Sequence, residues 1–278
     1  MESEKGMKDM KKRSFKAVLL LFVLTTLTIA LGGCSGDKEG DISSQITIGI
    51  PQDLEDSLDP HKMVTAGTRE VLFNIFEGLV KVTSDGDFVP AVASSYEETE
   101  GGKVYTFTLR DNVKFHDGST VTAEDVKFSL DKCADTSAGE PLVAAFSNID
   151  SVNILDDKTV QVVLKEADTE FLAYMTTAII PASNADPDTN PIGTGPYKFV
   201  SRSPQENFVM ERFDDYWGEP AYIKDVTFKI CANADTIVMD LEGGSIDMFA
   251  RVTSTQAAEL SDNFNVLEGT MNLVQALY

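Results

Sequence analysis

Three cysteines and two histidines are the side chains of this 278-residue chain best suited to metal ligation or nucleophilic attack. They are Cys34, Cys133, Cys231, His61 and His116, and they lie far apart, with no Cys-x-x-Cys pair among them. A structural zinc site needs several such ligands close together, and a disulfide framework needs several cysteine pairs. The spacing therefore favours neither. We expect Cys133 and Cys231 to be buried apolar side chains, and His116, beside a tight turn, to be exposed to solvent.

The sequence carries none of the motifs that mark the common catalytic sites. Gly-x-Ser-x-Gly, His-Glu-x-x-His, the phosphate-binding P-loop and the dinucleotide-binding glycine pattern are all missing. Gly193-Thr194-Gly195 is followed by Pro196 and a strand pattern, whereas a phosphate loop continues with Lys and Ser or Thr. Acidic pairs occur throughout so acidic a chain, so they do not indicate acid–base catalysis. We expect a protein that is not an enzyme, holds no metal and needs no cofactor.

The charge of the chain excludes one large class of functions. Lys and Arg number 23 and Asp and Glu number 45, which gives a formal net charge of −22. Proteins that bind nucleic acids cluster cations that displace the counterions of phosphate, and anionic lipid attracts the same kind of basic patch. No nucleic-acid partner is therefore expected.

The amino-terminal segment has the pattern of a secretory signal. Six basic residues lie before the uncharged run from Ala17 to Leu31. This run is shorter than the roughly 20 residues of a membrane-spanning helix. The following Leu31-Gly32-Gly33-Cys34 resembles the lipobox of bacterial lipoproteins, in which the cysteine becomes the lipidated first residue. We expect a signal peptide over 1–33 and a lipidated amino terminus with a flexible tether over 34–44. An ordinary signal peptide with an incidental cysteine is the alternative.

Beyond the tether, the hydrophobic pattern predicts a mixed α/β fold. Residues 45–50 and 104–110 alternate apolar and polar side chains, as half-buried strands do. A hairpin is predicted for 149–164. Thr122, with Asp125 three residues later, fits a capping box at the start of a helix. We expect the segment 91–103 to be a connection that ends in a polar turn.

Several stretches resemble, in order, the family 5 extracellular solute-binding proteins, which are the receptors of peptide and nickel ABC importers. The longest is 105–130, and the others are Leu58-Asp59-Pro60, 74–80 (NIFEGLV), 192–199 (IGTGPYKF), 212–218 (RFDDYWG) and 241–247 (LEGGSID). Most of these motifs are explained as scaffold, since their glycines suit sharp turns.

The resemblance implies a particular architecture. It implies an α/β, type II periplasmic-binding-protein-like first lobe over 45–278, built of mixed sheets with hairpins and helices. A subdomain is expected to be inserted at approximately 75–190. Members of the family are usually nearly twice as long, and the motifs here match their first half. We therefore expect the second lobe to be missing from this chain.

The resemblance also implies a function. It implies a lipid-anchored receptor on the outer face of the cytoplasmic membrane, in the cell envelope or periplasm. Such a receptor captures a peptide or similar small solute by hinge closure and passes it to ABC permease subunits. Two alternatives remain: a surface lipoprotein with a signalling or adhesive role, and nickel or metal-chelate binding within the same family.

Six residues are candidates for contact with that solute. In the family the loop after the first strand lies at the cleft, which points to Gln52, Asp53 and Leu54. Thr194, Tyr197 and Phe249 are further candidates. Turn formation and core packing account for all six equally well.

Overall fold

The computed structural model describes most of the chain beyond the predicted tether, and its ranges are 44–54, 57–137, 139–184, 186–250, 253–260 and 262–267. The predicted signal peptide, Cys34 and all of the tether except Ser44 lie outside the described residues.

The predicted mixture of strands and helices appears as eleven strands and four helices in the described part of the chain. The helices are α1 (Ala66–Leu72), α2 (Ala123–Ala134), α3 (Ala234–Glu242) and α4 (Ser254–Leu260), with 3-10 helices at Ala144–Asn148 and Phe171–Thr176. The strands are β1 (Gln45–Ile50), β2 (Val80–Val82), β3 (Phe88–Pro90), β4 (Ala93–Thr99), β5 (Val104–Leu109), β6 (Ile149–Asp156), β7 (Thr159–Leu164), β8 (Tyr197–Ser203), β9 (Asn207–Arg212), β10 (Asp225–Ile230) and β11 (Met248–Phe249).

Five strands form a mixed sheet in the order β11-β1-β10-β9-β8. β1 pairs in parallel with both β10 and β11, and Ile50 lies opposite Ile230 at the end of the β1–β10 register. β10, β9 and β8 follow as antiparallel neighbours. Because parallel strands end at the same edge of a sheet, the loop after β1 lies beside the carboxyl ends of β10 and β11.

A second sheet is antiparallel throughout, in the order β4-β5-β7-β6, and β2 and β3 form a separate hairpin. The predicted strand at 104–110 and the hairpin at 149–164 are confirmed. The prediction of a connection across 91–103 is wrong, because β4 occupies Ala93–Thr99. This edge strand buries Ala93 and packs Tyr96 on Phe107, while most of its other side chains are exposed and polar, so no apolar alternation marks it.

Helix α2 begins where the capping box predicted. The backbone N–H of Asp125 donates to Thr122 Oγ1 (3.3 Å), and that of Thr122 donates to Asp125 Oδ2 (3.0 Å). Its apolar face, which includes Val126, Leu130 and Cys133, is buried in the core of the four-stranded sheet. The prediction that Cys133 and Cys231 are buried is confirmed.

A separate core lies between α1 and the five-stranded sheet. Val71, Leu72 and Ile75 pack there with Phe208 and Phe228 from the strands. One seven-residue helix is too short to cover the whole face of a five-stranded sheet. In the described part of the chain, no helix has the length and apolar content needed to cross a membrane.

Candidate functional site

Two of the glycine-containing motifs lie directly against each other. The backbone N–H of Gly195 donates to the carbonyl oxygen of Ile75 (2.9 Å), and that of Tyr197 donates to the carbonyl oxygen of Asn74 (3.1 Å). A Cβ atom added at Gly193 would lie 2.1 Å from the carbonyl oxygen of Ile75, and one at Gly195 would lie 2.4 Å from that of Asn74. Only glycine permits this approach, and the contact places Asn74 and Tyr197 side by side.

The ring of His116 contacts residues 193–195, called the glycine loop below. The backbone N–H of Gly193 donates to Nδ1 (3.2 Å), and Nε2 lies 3.0 Å from the carbonyl oxygen of Gly195. These contacts require a neutral ring with its proton on Nε2. Burial lowers the pKa of His116 to about 4, although the hydrogen bond to Gly195 acts in the opposite direction. The prediction that His116 is exposed is wrong: its ring lies against the loop and edge-on to Phe213, with 5.0 Å between the ring centroids.

The Glu77 carboxylate also contacts the glycine loop, together with two aromatic side chains. Glu77 Oε1 accepts from the Tyr216 hydroxyl (2.7 Å), and Oε2 accepts from Trp217 Nε1 (2.6 Å) and from Thr194 Oγ1 (3.5 Å). Burial raises the pKa of Glu77, while these donors oppose the shift. The 74–80, 192–199 and 212–218 motifs therefore meet at one carboxylate, and their role here is to hold the scaffold together.

An open cavity of about 700 Å³ lies beside the contact between Asn74 and Tyr197. It is bounded by α1, by the apolar face of β1 and β10, and by the loop after β1. Its volume falls within the range of small-molecule sites. The lining is mainly apolar, with Ile48, Val226 and Phe228 among the residues that form it. Its polar side chains are Gln52, Thr65, Glu70, Asn74, Tyr197 and Gln256.

Three of the six candidate residues come together at this cavity. Gln52, Tyr197 and Phe249 all line it, although they come from the loop after β1, the start of β8 and β11. The hydroxyl of Tyr197 donates to the carbonyl oxygen of Ile223 (2.9 Å), which fixes the ring against the wall.

The other three candidates are not among the residues that line the cavity. Leu54 is 1 % exposed and belongs to the core beneath α1, and the buried Thr194 hydroxyl donates to Glu77. The Asp53 carboxylate accepts from the backbone N–H of Gln205 (2.9 Å) and lies 3.1 Å from Arg202 Nη2. Burial alone would raise the pKa of Asp53, but these donors hold it below 3.8. In this structure all three residues therefore serve to hold loops in place.

Sequence reasoning missed four polar residues of the cavity, Thr65, Glu70, Asn74 and Gln256, and two of them, Glu70 and Asn74, lie close together in the chain. Glu70 lies within α1, and Asn74 lies in the turn just after the helix, four positions further along the chain. That spacing was readable in the sequence. The direction in which these two side chains point was not, because it depends on how α1 and the turn after it pack on the sheet.

The described residues contain no group of three or more His, Cys, Asp or Glu side chains placed to hold a metal ion. The two histidines bind backbone groups: His61 Nε2 lies 2.8 Å from the carbonyl oxygen of Ala178, and His116 holds the glycine loop. The described lining of the cavity thus consists of apolar surface, amide groups, hydroxyl groups and one carboxylate.

Residues 87–277 match the family model described as "Bacterial extracellular solute-binding proteins, family 5 Middle". The chain belongs to this family, and its fold is that of the type II periplasmic binding proteins.

The chain is 29 % identical to the oligopeptide-binding protein AppA of Bacillus subtilis, over 92 % of this chain and 52 % of AppA. It is 31 % identical to the nickel-binding periplasmic protein of Escherichia coli K12, over 69 % of this chain and 38 % of the relative. Among solved structures, the periplasmic binding protein AgaA of A. tumefaciens R10, in complex with agropinic acid, is similar with a TM-score of 0.73 and 29 % identity. That match covers 79 % of this chain and 46 % of AgaA, so the chain spans about half the length of such relatives or less.

Proposed function

We propose that this chain is the substrate-binding component of an ABC importer and captures peptides or related small solutes for delivery to permease subunits. The observation that carries the proposal is the cavity of about 700 Å³ beside the loop after β1, in a chain of solute-binding family 5. Relatives with the same fold are named for oligopeptides, and one is solved with agropinic acid.

The chemistry of the cavity suits a peptide. Its apolar wall offers contact area to side chains of various shapes without specifying any one of them. The amide of Gln52 can both donate and accept hydrogen bonds, as the N–H and C=O groups of a peptide require. The Asn74 amide nitrogen donates to the carbonyl oxygen of Val71, which leaves its oxygen as an acceptor, and the Gln256 amide oxygen accepts from Thr253, which leaves its nitrogen as a donor. Loose side-chain contacts with hydrogen-bonded main-chain groups are typical of proteins that accept many peptides.

We also propose that the protein is held at the outer face of the cytoplasmic membrane through lipid on Cys34. The support is the sequence pattern: a basic segment, a short apolar run and the lipobox-like residues 31–34. In this proposal, 1–33 is removed, 34–44 is the lipidated tether, and 45–278 is the binding lobe with its subdomain at approximately 75–190. A chain held in this way keeps captured solute close to the permease.

Binding is tested by saturation-transfer NMR with a defined apolar tripeptide, trileucine amide, added to the full chain in phospholipid nanodiscs. We expect saturable binding with a dissociation constant of about 0.1–1 mM, because the open cavity leaves much of a ligand in contact with water. The Ile48→Lys variant, which introduces a cation into the cavity wall, is expected to abolish the signal.

The matched control is Ile154→Lys, which makes the same substitution at a 37 % exposed position of β6 outside the cavity lining. It is expected to bind like the unaltered chain. Equal binding by both variants, or no binding by the unaltered chain, would contradict the proposal. Recovery of cleaved tripeptide would indicate an enzyme instead of a receptor.

A further inference from the structure

The Leu58-Asp59-Pro60 motif places a carboxylate inside the protein. Asp59 is 0 % exposed, and its Oδ2 atom accepts from Lys132 Nζ (2.8 Å). Its Oδ1 atom accepts from the backbone N–H of His61 (3.1 Å). Burial alone would raise the pKa of Asp59, but these donors hold it below its usual value, so the group is charged at neutral pH. Burying a charge costs solvation free energy, which its partners must offset.

The contact between Asp59 and Lys132 joins two segments that pack in different cores. Lys132 lies in the last turn of α2, whose apolar face is buried in the core of the four-stranded sheet. Leu58, next to Asp59, belongs to the core between α1 and the five-stranded sheet. The ion pair therefore fixes the loop after β1 to a helix of the other core.

Asp59 also begins the turn that leads into α1. Its carbonyl oxygen accepts from the backbone N–H groups of Lys62 (2.9 Å) and Met63 (3.1 Å), and the carbonyl oxygen of Met63 accepts from Arg69 on α1 (3.2 Å). Thr65 follows this turn, caps α1 and lines the cavity. A helix of seven residues has little stability of its own, so contacts at its ends decide where it lies.

We infer that Asp59 is a positioning residue for the cavity: paired with Lys132, it fixes the start of α1 and thereby the wall that α1 gives to the cavity. Asp59 is not among the residues that line the cavity, so it acts through the turn and the helix and not by contact with the solute. The inference rests on the proposed function, and it adds the group that holds one wall of the site in place.

The test compares the binding of trileucine amide to variants of the full chain in nanodiscs. Lys132→Met keeps a long side chain but removes its charge, and we expect the dissociation constant to rise at least about fivefold, because the start of α1 is no longer held. Lys132→Arg supplies a cation that can again donate to Asp59, and it is expected to bind within about twofold of the unaltered chain. The matched control is Lys114→Met, which removes a cation paired with the exposed Asp215 and is expected to leave the affinity unchanged.

A double variant separates positioning from stability. Asp59→Asn combined with Lys132→Met leaves no buried charge without a partner, so its urea midpoint is expected to exceed that of Lys132→Met alone. Because the link to α2 is still absent, we expect its affinity for the peptide to remain at least about fivefold weaker than that of the unaltered chain.

Recovery of affinity together with stability in the double variant would show that the ion pair serves only the stability of the fold. That result, unchanged affinity in Lys132→Met, or an equal loss in Lys114→Met would overturn the inference while the proposed function stands. If the unaltered chain does not bind trileucine amide, the proposed function is overturned and this inference with it.

Discussion

At the scale of single residues, His116 holds the glycine loop only while its ring is neutral. Protonation would remove the Nδ1 lone pair that accepts from the backbone N–H of Gly193. Burial lowers the pKa of His116 from 6.5 to about 4, so between these values the unfolded chain binds a proton that the folded chain does not. Stability must therefore decrease as the pH falls through this interval.

We predict that the free energy of unfolding falls by about 2–3 kcal/mol between pH 6.5 and 4 through His116 alone. Urea unfolding at several pH values, followed by the fluorescence of Trp217, measures it. His116→Gln is expected to be less stable at pH 7 and to depend less on pH. Burial also lowers the pKa of His61, so some dependence remains in that variant. The prediction is contradicted if the free energy of unfolding depends on pH in the same way for the unaltered chain and for His116→Gln.

Glu77 gives a second prediction at this scale. Glu77→Ala leaves the Tyr216 hydroxyl and Trp217 Nε1 without their acceptor. An unsatisfied donor costs about 1–3 kcal/mol when buried, and these two donors are half-buried, so we expect a loss of about 2–4 kcal/mol in urea unfolding. Trp217 is the single tryptophan, so a shift of its emission reports the change directly. Glu219→Ala, at an exposed position, is expected to change stability by less than about 0.5 kcal/mol. Similar stability of both variants would refute this role of Glu77.

At the scale of elements, the close approach of the glycine loop to the end of α1 shapes the cavity wall. We predict that Gly195→Ala costs at least about 3 kcal/mol in urea unfolding, because the new Cβ atom would lie 2.4 Å from the carbonyl oxygen of Asn74. Separation of the two segments would also displace Tyr197, and we expect it to weaken the proposed peptide binding.

Gly67→Ala is the matched control, since nothing lies within 4 Å of a Cβ atom at this helical position. Alanine there is expected to stabilise the chain by about 0.5–1 kcal/mol, because it restricts the unfolded state and favours the helix. If both alanine variants are equally stable, the close packing of the loop does not contribute to stability.

At the scale of the whole molecule, the anchoring proposal depends on one residue outside the described part of the chain. We predict that cells that express Cys34→Ala incorporate no labelled palmitate into this protein, because the thiol proposed to carry the lipid is gone. After membrane fractionation, we expect less of the variant than of the unaltered protein in the membrane fraction. Cys231→Ala, which alters a buried cysteine, is expected to keep the label. Incorporation of label into Cys34→Ala would exclude this residue as the lipidation site.

The features that the sequence determined by itself are local. Strand β1, the hairpin β6–β7 and the capped start of α2 were predictable, because apolar alternation and capping arise from neighbouring residues. The motifs in 58–247 also indicated the family correctly. Strand β4 was missed because an edge strand with exposed, polar side chains lacks that alternation.

The candidate site was decided by tertiary structure. Gln52, Tyr197 and Phe249 share a cavity because β1 pairs in parallel with β10 and β11, and because the glycine loop packs on residues 74–75, just after α1. The same long-range contacts direct Asp53 and Thr194 to other protein groups, and they turn the face of α1 that carries Glu70 toward the cavity. Sequence pattern reports which face of an element is apolar, whereas the neighbours of each side chain depend on pairings between segments far apart in the chain.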